Sequence, residues 1–389
     1  MIVYWYTGMP ISMSSERRKV IVLASRWVVK IAVLGGGGGA HAMAADLALA
    51  GHEIRMAELP SMGENIAAAK ALGGIQLTGT APMGGSPGFA RLALITTNIP
   101  EAVENAELVM VVVPAYGHEA FMRELIGCVR KDQTVVFHSS YFSSLIFAKM
   151  LKEAGREGEI LFGETTSLLY LAHLRGAGRV WIKAGKRRMP FAAFPARRTE
   201  EALKRVNPVY PQLVPARNVF DTSLNEAGVL VHPVTTLLNL SRIERNGPYK
   251  SNYYDLTPGI GKVMDIVDGE RQAVQRALGL PPASLPSMIH DFFNVSGKNC
   301  YEAIYNCPNY SKQTTPDGLE HRYISEDVPF GLVPTTAIGE QMGLDMSTTR
   351  SIVQLAGSAA GKDFWKEGRS LEVMGLSGMD SAQMLRHVS

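Results

Sequence analysis

Short apolar runs alternate with amphipathic segments along the first half of the chain. Residues 31–34 and 53–57 form two apolar runs, and residues 43–50 between them have a helical pattern. Residues 108–113 form an uninterrupted apolar run rich in valine, as is typical of a parallel strand buried on both faces. Three later runs predict further strands, at residues 134–137, 159–164 and 179–184. This alternation predicts an α/β domain built on a parallel sheet.

The periodicity changes in the second half, where apolar side chains recur at helical spacing. One predicted helix begins at Pro258, ends at Gly279 and places Val263, Val267 and Val274 on one face. The second half is therefore predicted to be mostly helical.

Prolines at positions 208, 211 and 215 indicate the boundary between the two halves. Residues 31–210 are predicted to form the α/β domain and residues 211–389 an all-α domain, with the active site in the cleft between them. Residues 1–30 precede the first predicted strand and contain no pattern of a signal peptide. We expect them to be a disordered extension or the result of an incorrectly assigned start.

A glycine-rich turn connects the first predicted strand to the first predicted helix. It fits the G-x-G-x-x-[GA] pattern of Rossmann dinucleotide-binding domains at Gly35, Gly37 and Ala40. The first glycine would form the tight turn, and the second would let the backbone approach a pyrophosphate at the helix N-terminus. Several registers fit, so the predicted cofactor-binding residues are Gly35, Gly36, Gly37, Gly38, Gly39 and Ala40.

Two further residues are predicted to contact the dinucleotide. Glu58 ends the second predicted strand, where a carboxylate can accept hydrogen bonds from a ribose and would repel a 2′-phosphate. This favours NAD, although Arg55 nearby would relax the preference and leaves NADP as an alternative. Pro114 opens the loop after residues 108–113, at the strand end where such sheets bind their ligands.

The composition favours a cytoplasmic enzyme without nucleic-acid or membrane partners. The net charge of +3 is spread along the chain, and no segment is long and apolar enough for a membrane span. Three cysteines without close spacing argue against a disulfide framework and favour a reducing compartment. No metal is predicted, because no residues have metal-ligand spacing. A homodimer through the helical domain is compatible with the sequence, but no apolar seam indicates one.

Hydride transfer to a carbonyl or imine needs a proton donor, and histidine is suited to this because its ordinary pKa is about 6.5. His118 and His138 follow predicted strands at the ligand-binding edge, so we expect either to line the nicotinamide pocket. His41 lies on the predicted cofactor helix and is expected to pack there without reacting. His232 stands in a distinct context, the His-Pro pair that precedes a Leu-Leu-Asn triplet.

At this point the chain resembles the opine dehydrogenases, a family that includes octopine and nopaline dehydrogenases. The resemblance covers residues 31–380 and rests on four blocks that occur in order along the sequence. These blocks are residues 232–244, residues 257–279, the segment HRYISEDVPFGLVP at 321–334, and residues 368–378.

The resemblance implies a reaction and a pair of catalytic residues. Opine dehydrogenases join the amino group of an amino acid to a 2-oxo acid, commonly pyruvate, and reduce the resulting imine with a nicotinamide cofactor. By motif, His232 would be the general acid/base and Asp327 would accept a hydrogen bond from its other ring nitrogen. The pairing of these two residues comes from the resemblance alone.

Two residues are candidates for binding the substrates. Both reactants carry carboxylates, so Arg322 is a candidate for holding one of them, and an arginine on a helix surface is an equally good interpretation. Asn239 would hydrogen-bond the substrate or the cofactor amide, or else the helix backbone.

The sequence departs from the family pattern in two places. Residues 139–143 read Ser-Ser-Tyr-Phe-Ser where many relatives are rich in glycine, which questions the cofactor contacts of this loop. Glu226 stands where an asparagine is frequent, and its charge would favour a cationic amine substrate.

Two other functions compete with this interpretation. A simple 2-oxo acid or hydroxy acid reductase, of the ketopantoate reductase or glycerol-phosphate dehydrogenase type, would share both domains, but such enzymes tend to use lysine as the proton donor. A non-catalytic dinucleotide sensor would need no proton donor in the cleft.

Overall fold

The computed structural model describes residues 28–247, 250–251, 253–311 and 313–389. The extension predicted for residues 1–30 lies, up to residue 27, outside the described residues. Within the described part of the chain, no helix has the length and apolar character needed to cross a membrane.

The strands and helices follow one another in the order expected of an α/β domain and a helical domain. The strands are β1 (Lys30–Leu34), β2 (Glu53–Ala57), β3 (Gly74–Gly79), β4 (Phe89–Arg91), β5 (Leu94–Thr96), β6 (Leu108–Val111), β7 (Thr134–His138), β8 (Leu161–Thr165), β9 (Tyr170–Leu174), β10 (Arg179–Gly185), β11 (Met189–Phe194), β12 (Leu213–Pro215), β13 (Lys250–Ser251) and β14 (Gln313–Thr314). The α-helices are α1 (Gly38–Leu49), α2 (Glu64–Leu72), α3 (Ile99–Val103), α4 (His118–Cys128), α5 (Ser143–Glu153), α6 (Thr199–Val206), α7 (Val219–Ser223), α8 (Ala227–Leu238), α9 (Leu240–Asn246), α10 (Pro258–Ala277), α11 (Leu285–Phe293), α12 (Cys300–Tyr305), α13 (Arg322–Ser325), α14 (Val333–Gln341), α15 (Ser347–Ala360), α16 (Phe364–Glu367) and α17 (Ser381–Val388).

The main sheet has eight strands in the order β12-β11-β8-β7-β6-β1-β2-β5, and only the β8–β11 pair within it is antiparallel. All residues of β6 and β7 are buried, as their apolar runs predict for strands covered on both faces. The chain passes from β1 through α1 to β2 on one side, and later returns through α3 to β6 on the other side of β1. The carboxyl end of β1 is therefore the switch point at which such sheets bind ligands. The predicted Rossmann-type α/β domain is confirmed.

A second sheet, in the order β4-β3-β10-β9, packs on α1 beside the main sheet. The strand predicted at residues 179–184 exists as β10, but it belongs to this smaller sheet. Its burial alternates, because only one face of the small sheet packs against the rest of the protein.

The helical domain is organised around α10, which packs against α8, α12, α14 and α15. Thr257 caps its N-terminus by accepting a hydrogen bond from the N–H of Ile260 at 3.3 Å, and Pro258 occupies its first turn. The last strand of the main sheet, β12, extends to Pro215, so the sheet continues beyond the domain boundary predicted at residue 210. The predicted all-α second domain is confirmed, with the small β13–β14 pair as its only extended element among the described residues.

Candidate active site

A cleft of about 370 Å³ lies between the carboxyl edge of the main sheet and the helical domain. One wall consists of the glycine turn and the ends of β6, β7 and β8, and the second sheet adds β9. The opposite wall comes from α8 and α13. The cleft lies where the sequence predicts the active site.

The glycine turn has the geometry that a dinucleotide pyrophosphate needs. Gly35 has a φ of +124°, and a Cβ there would lie 2.5 Å from the carbonyl oxygen of Val112. Gly37 precedes the first residue of α1, and a Cβ on it would meet nothing within 4 Å. The N-terminus of a twelve-residue helix therefore opens into the cleft without an obstructing side chain. These residues fit the phosphates of NAD or NADP.

Glu58 lies at the end of β2, beside the glycine turn, and its side chain is buried. Its Oε1 accepts a hydrogen bond from the N–H of Leu59 at 2.8 Å, and a Cβ on Gly36 would lie 2.8 Å from its Oε2. The guanidinium of Arg55 instead donates to the carbonyl oxygens of Glu101 and Ala102, at 2.8 and 3.2 Å. The acidic side chain, and not the arginine, therefore adjoins the turn that fits the cofactor.

His232 and Asp327 meet in the cleft, although 95 residues separate them. Their contact joins Nδ1 of the imidazole to Oδ2 of the carboxylate at 2.9 Å. Asp327 is fully buried, and its second oxygen accepts a hydrogen bond from the hydroxyl of Tyr141 at 2.6 Å. The ring of Tyr323 stacks on the imidazole with a centroid separation of 3.7 Å. The imidazole is thus held on one edge and one face.

Burial dominates the protonation of this pair. It lowers the pKa of His232 well below its ordinary value, and Arg322 adds to this effect. It raises the pKa of Asp327 to about 7, against the opposing effects of Arg322 and the Tyr141 hydroxyl. Burial therefore favours the uncharged form of both side chains.

Arg322 lines the cleft with its side chain half exposed. It forms an ion pair with Glu326, in which Nη1 and Oε2 are 3.3 Å apart. The other oxygen of Glu326 accepts a hydrogen bond from the N–H of Ala115 at 2.8 Å, which links α13 to the loop after β6. The guanidinium is therefore anchored and still borders the cleft, so the two roles considered for it are compatible.

A buried ionic group lies in the same cleft. Lys186 Nζ donates to Ser167 Oγ at 2.6 Å, and Ser167 donates to Glu226 Oε1 at 3.0 Å. Glu226 also caps α8, since Oε1 accepts a hydrogen bond from the N–H of Gly228 at 3.1 Å. The negative charge that the sequence places at Glu226 is thus counterbalanced by a lysine, which weakens the case for Glu226 as a selector of cationic amines.

The loop after β7 keeps a glycine-like backbone without glycines. Ser139, Tyr141 and Phe142 have φ values of 73°, 44° and 61°. L-residues adopt such values at a cost, so surrounding contacts must hold the loop. The N–H of Phe142 donates to Ser223 Oγ at 2.7 Å, and Tyr141 is held by Asp327. The left-handed backbone aims the Tyr141 side chain at the helical domain.

Two predicted substrate residues lie elsewhere. His118 has no exposed surface and contacts Arg369 below the cleft, so its expected place in the nicotinamide pocket is corrected. Asn239 directly follows α8 and donates to the carbonyl oxygen of Thr235 at 2.9 Å, which matches the helix-backbone alternative. His138 and Pro114 do border the cleft. Burial lowers the pKa of His138 to about 3, so this histidine stays neutral.

Sequence reasoning missed Tyr141, Ser167 and Lys186. Tyr141 and Ser167 follow β7 and β8 by a few residues, and position after a parallel strand was the only signal that could have found them. Lys186 follows β10, a strand of the second sheet, and carries no such signal. His41, as expected, stays with the cofactor helix, where its Nδ1 lies 3.1 Å from the carbonyl oxygen of Gly37. Among the described residues, no group of three His, Cys, Asp or Glu side chains could hold a metal ion.

Comparisons with known proteins match both domains of the chain. Residues 215–360 match the model "NAD/NADP octopine/nopaline dehydrogenase, alpha-helical domain", and residues 30–138 match "NADP oxidoreductase coenzyme F420-dependent". The chain is 34% identical to the opine dehydrogenase of Arthrobacter sp. (strain 1C) over 352 residues, which cover 90% of this chain and 96% of that protein.

Two solved structures have a similar fold. Octopine dehydrogenase with NADH and L-arginine gives a TM-score of 0.71 at 17% identity, covering 92% of this chain and 98% of that one. NADP⁺-bound yersinopine dehydrogenase gives a TM-score of 0.70 at 17% identity, covering 93% and 99%. Both extend over the two domains described above.

Proposed function

We propose, because this chain belongs to the opine dehydrogenase family, that it joins the amino group of an amino acid to a 2-oxo acid such as pyruvate. Membership makes it an NAD(P)-dependent oxidoreductase acting on CH–NH donors. The amine nitrogen bonds to the carbonyl carbon, whose oxygen leaves as water. The reduced nicotinamide, when bound, supplies a hydride to that carbon, and one proton is taken up as the product becomes a protonated secondary amine.

The observation that carries the proposal is the His232–Asp327 hydrogen bond in the cleft. We assign His232 as the general acid/base. Its Nδ1 is bonded to Asp327, so Nε2 is the nitrogen that would exchange a proton with the oxygen of the 2-oxo acid. The carboxylate orients the ring and fixes which ring nitrogen faces the substrate. A positioned acid of this kind contributes about 10²–10⁴-fold to a rate.

Arg322 is the residue we assign to a substrate carboxylate, because it borders the cleft within electrostatic reach of His232. A planar guanidinium binds a carboxylate through two parallel hydrogen bonds, and this reinforces the assignment. Glu58 supports NAD as the preferred cofactor, since its carboxylate adjoins the glycine turn and would repel a 2′-phosphate. The amino acid and 2-oxo acid classes follow those bound in octopine dehydrogenase, whose structures contain NADH with L-arginine or with pyruvate.

The test follows NADH absorbance with panels of 2-oxo acids and amino acids, offered separately and together. We expect oxidation that requires both reactants and falls at least 100-fold in His232→Ala, because the acid that protonates the oxygen is lost. His290→Ala is the matched control, since His290 is an exposed histidine on α11.

The other possible outcomes would indicate a different function or mechanism. Oxidation with a 2-oxo acid alone would identify a simple reductase and contradict the proposal. Tight NADH binding without turnover on any pair would support a dinucleotide sensor. Equal activity of His232→Ala and the wild type would remove His232 from the mechanism.

A further inference from the structure

Lys186 is a buried lysine that lines the cleft. It lies at the end of the cleft that the loops after β8 and β10 form. Its Nζ donates to Ser167 Oγ at 2.6 Å and lies 4.5 Å from the ring centroid of Phe292. An ammonium group has three N–H donors, and one hydrogen bond with one aromatic contact does not use them all. The buried ammonium group therefore has fewer hydrogen-bond acceptors around it than it has N–H donors.

The carboxylate that balances Lys186 is one hydroxyl group away from it. Ser167 lies between Lys186 and Glu226 and hydrogen-bonds both, so the two charges make no direct ion pair. Glu226 Oε2 is buried and finds no hydrogen-bond partner among the residues that the structure describes. A purely structural ion pair would place its charges in contact, because their attraction must offset the cost of burying both. The arrangement instead leaves capacity on the lysine for another anion.

Lys186 and Arg322 lie within electrostatic reach of the same histidine. After burial, which is the largest cause, both cations contribute to lowering the pKa of His232, and Arg322 also lowers the pKa of Lys186. Both line the cleft that contains the imidazole. The cleft therefore presents two cationic groups, and the proposed reaction brings two carboxylates to it.

We propose that Lys186 binds the α-carboxylate of one of the two reactants, with Arg322 binding the other. This inference rests on the proposed function and adds a specificity-determining residue to it. Ser167 positions the ammonium, and Glu226 keeps it charged in a buried place.

The protonation of Lys186 is consistent with this role. Burial lowers its pKa to about 8, and Glu226 opposes that effect. The ammonium form therefore predominates at neutral pH and is lost as the pH rises above about 8. Carboxylate binding at this place is expected to weaken over the same interval.

The experiment measures binding without turnover, so it remains informative even if the proposed reaction is not observed. The NADH complex is titrated with oxamate, an unreactive 2-oxo acid analogue, and separately with L-arginine and its carboxylate-free counterpart agmatine, by NADH fluorescence. The variants are Lys186→Met and Lys186→Arg. Lys183→Met is the matched control, because Lys183 lies on the same sheet segment but donates to the carbonyl oxygens of Asn309 and Ser311, outside the cleft lining.

We expect Lys186→Met to weaken oxamate or L-arginine about 10- to 100-fold, the range for a lost charged hydrogen bond. Loss of oxamate affinity assigns the 2-oxo acid carboxylate to Lys186. Loss of L-arginine affinity with agmatine unchanged assigns the amino acid carboxylate. Lys186→Arg should retain binding above pH 8, where the wild type loses it, because guanidinium stays protonated.

Other results would overturn the inference. These are unchanged affinities in Lys186→Met, wild-type binding that does not respond to pH between 7 and 9, or failure of the wild-type NADH complex to bind any of the carboxylates. If Lys186→Met does not fold, the wild-type pH titration and Lys186→Arg still decide the question.

Discussion

Replacing Tyr141 with phenylalanine would remove one hydroxyl from the candidate active site and leave its aromatic packing in place. That hydroxyl donates to Asp327 Oδ1 at 2.6 Å, where neither side chain is exposed. A hydrogen bond to a buried charged group contributes about 1.5–3 kcal/mol, and one pKa unit corresponds to about 1.4 kcal/mol. The pKa of Asp327, about 7 in the wild type, is therefore expected to rise by about one to two units.

The sign of this change predicts a distinctive pH profile. At and below neutral pH a larger fraction of Asp327 would be protonated in the variant. A neutral carboxyl group stabilises a protonated His232 less than a carboxylate does, so kcat for the reductive reaction should fall about 10- to 100-fold. Toward pH 10 the two profiles should converge, because the carboxyl group of Asp327 is then mostly ionised in both proteins. General damage to the site would instead lower the rate equally at every pH.

The assay is NADH oxidation with both substrates, recorded from pH 6 to 10. Tyr305→Phe serves as the control, since Tyr305 is an exposed tyrosine on α12. A fall in rate that is equal at every pH, or a pH–rate profile that is identical to that of the wild type, would refute the coupling between Tyr141 and Asp327. NADH affinity should be unaffected.

The cofactor-binding turn offers two further predictions. Gly35→Ala should lower the melting temperature, because Gly35 has a φ of +124° and an added Cβ would lie 2.5 Å from the carbonyl oxygen of Val112. Gly37→Ala should leave the melting temperature unchanged but weaken NADH binding at least tenfold, because its Cβ would enter the open cleft. Equal effects of the two variants on melting temperature and on NADH affinity would contradict this prediction. Glu58→Gln should weaken NADH binding about 10-fold and reduce the preference for NADH over NADPH, as measured by fluorescence titration of both cofactors. An unchanged ratio of the two affinities would show that Glu58 does not set the cofactor preference.

Much of the fold could be predicted from the sequence because the burial of each strand and helix determines how its apolar residues are spaced. β6 and β7 are buried on both faces and read as continuous apolar runs, and α10 is amphipathic with a capping threonine and a proline at its start. The membership of β10 in a second sheet could not be predicted, since a short alternating strand carries no information on its partners.

The candidate site was predictable only in part, for a physical reason. The glycine turn and Glu58 are adjacent in sequence to the strands that place them, so a local pattern identifies them. Tyr141 meets Asp327 across 186 residues, and Lys186 meets Glu226 only through Ser167. Such contacts depend on how two domains dock, which no local pattern records.

The two oxygens of Asp327 are hydrogen-bonded to residues from different domains, one to Tyr141 after β7 and the other to His232 on α8. Neither domain is therefore a self-contained catalytic module. A cofactor domain transplanted from another dinucleotide-binding protein would supply an equivalent sheet, but the carboxylate of the helical domain would lose the hydroxyl that its left-handed loop presents. Recombination between relatives is thus constrained to keep residues 139–142 and Asp327 together, as one inherited unit that spans the domain boundary.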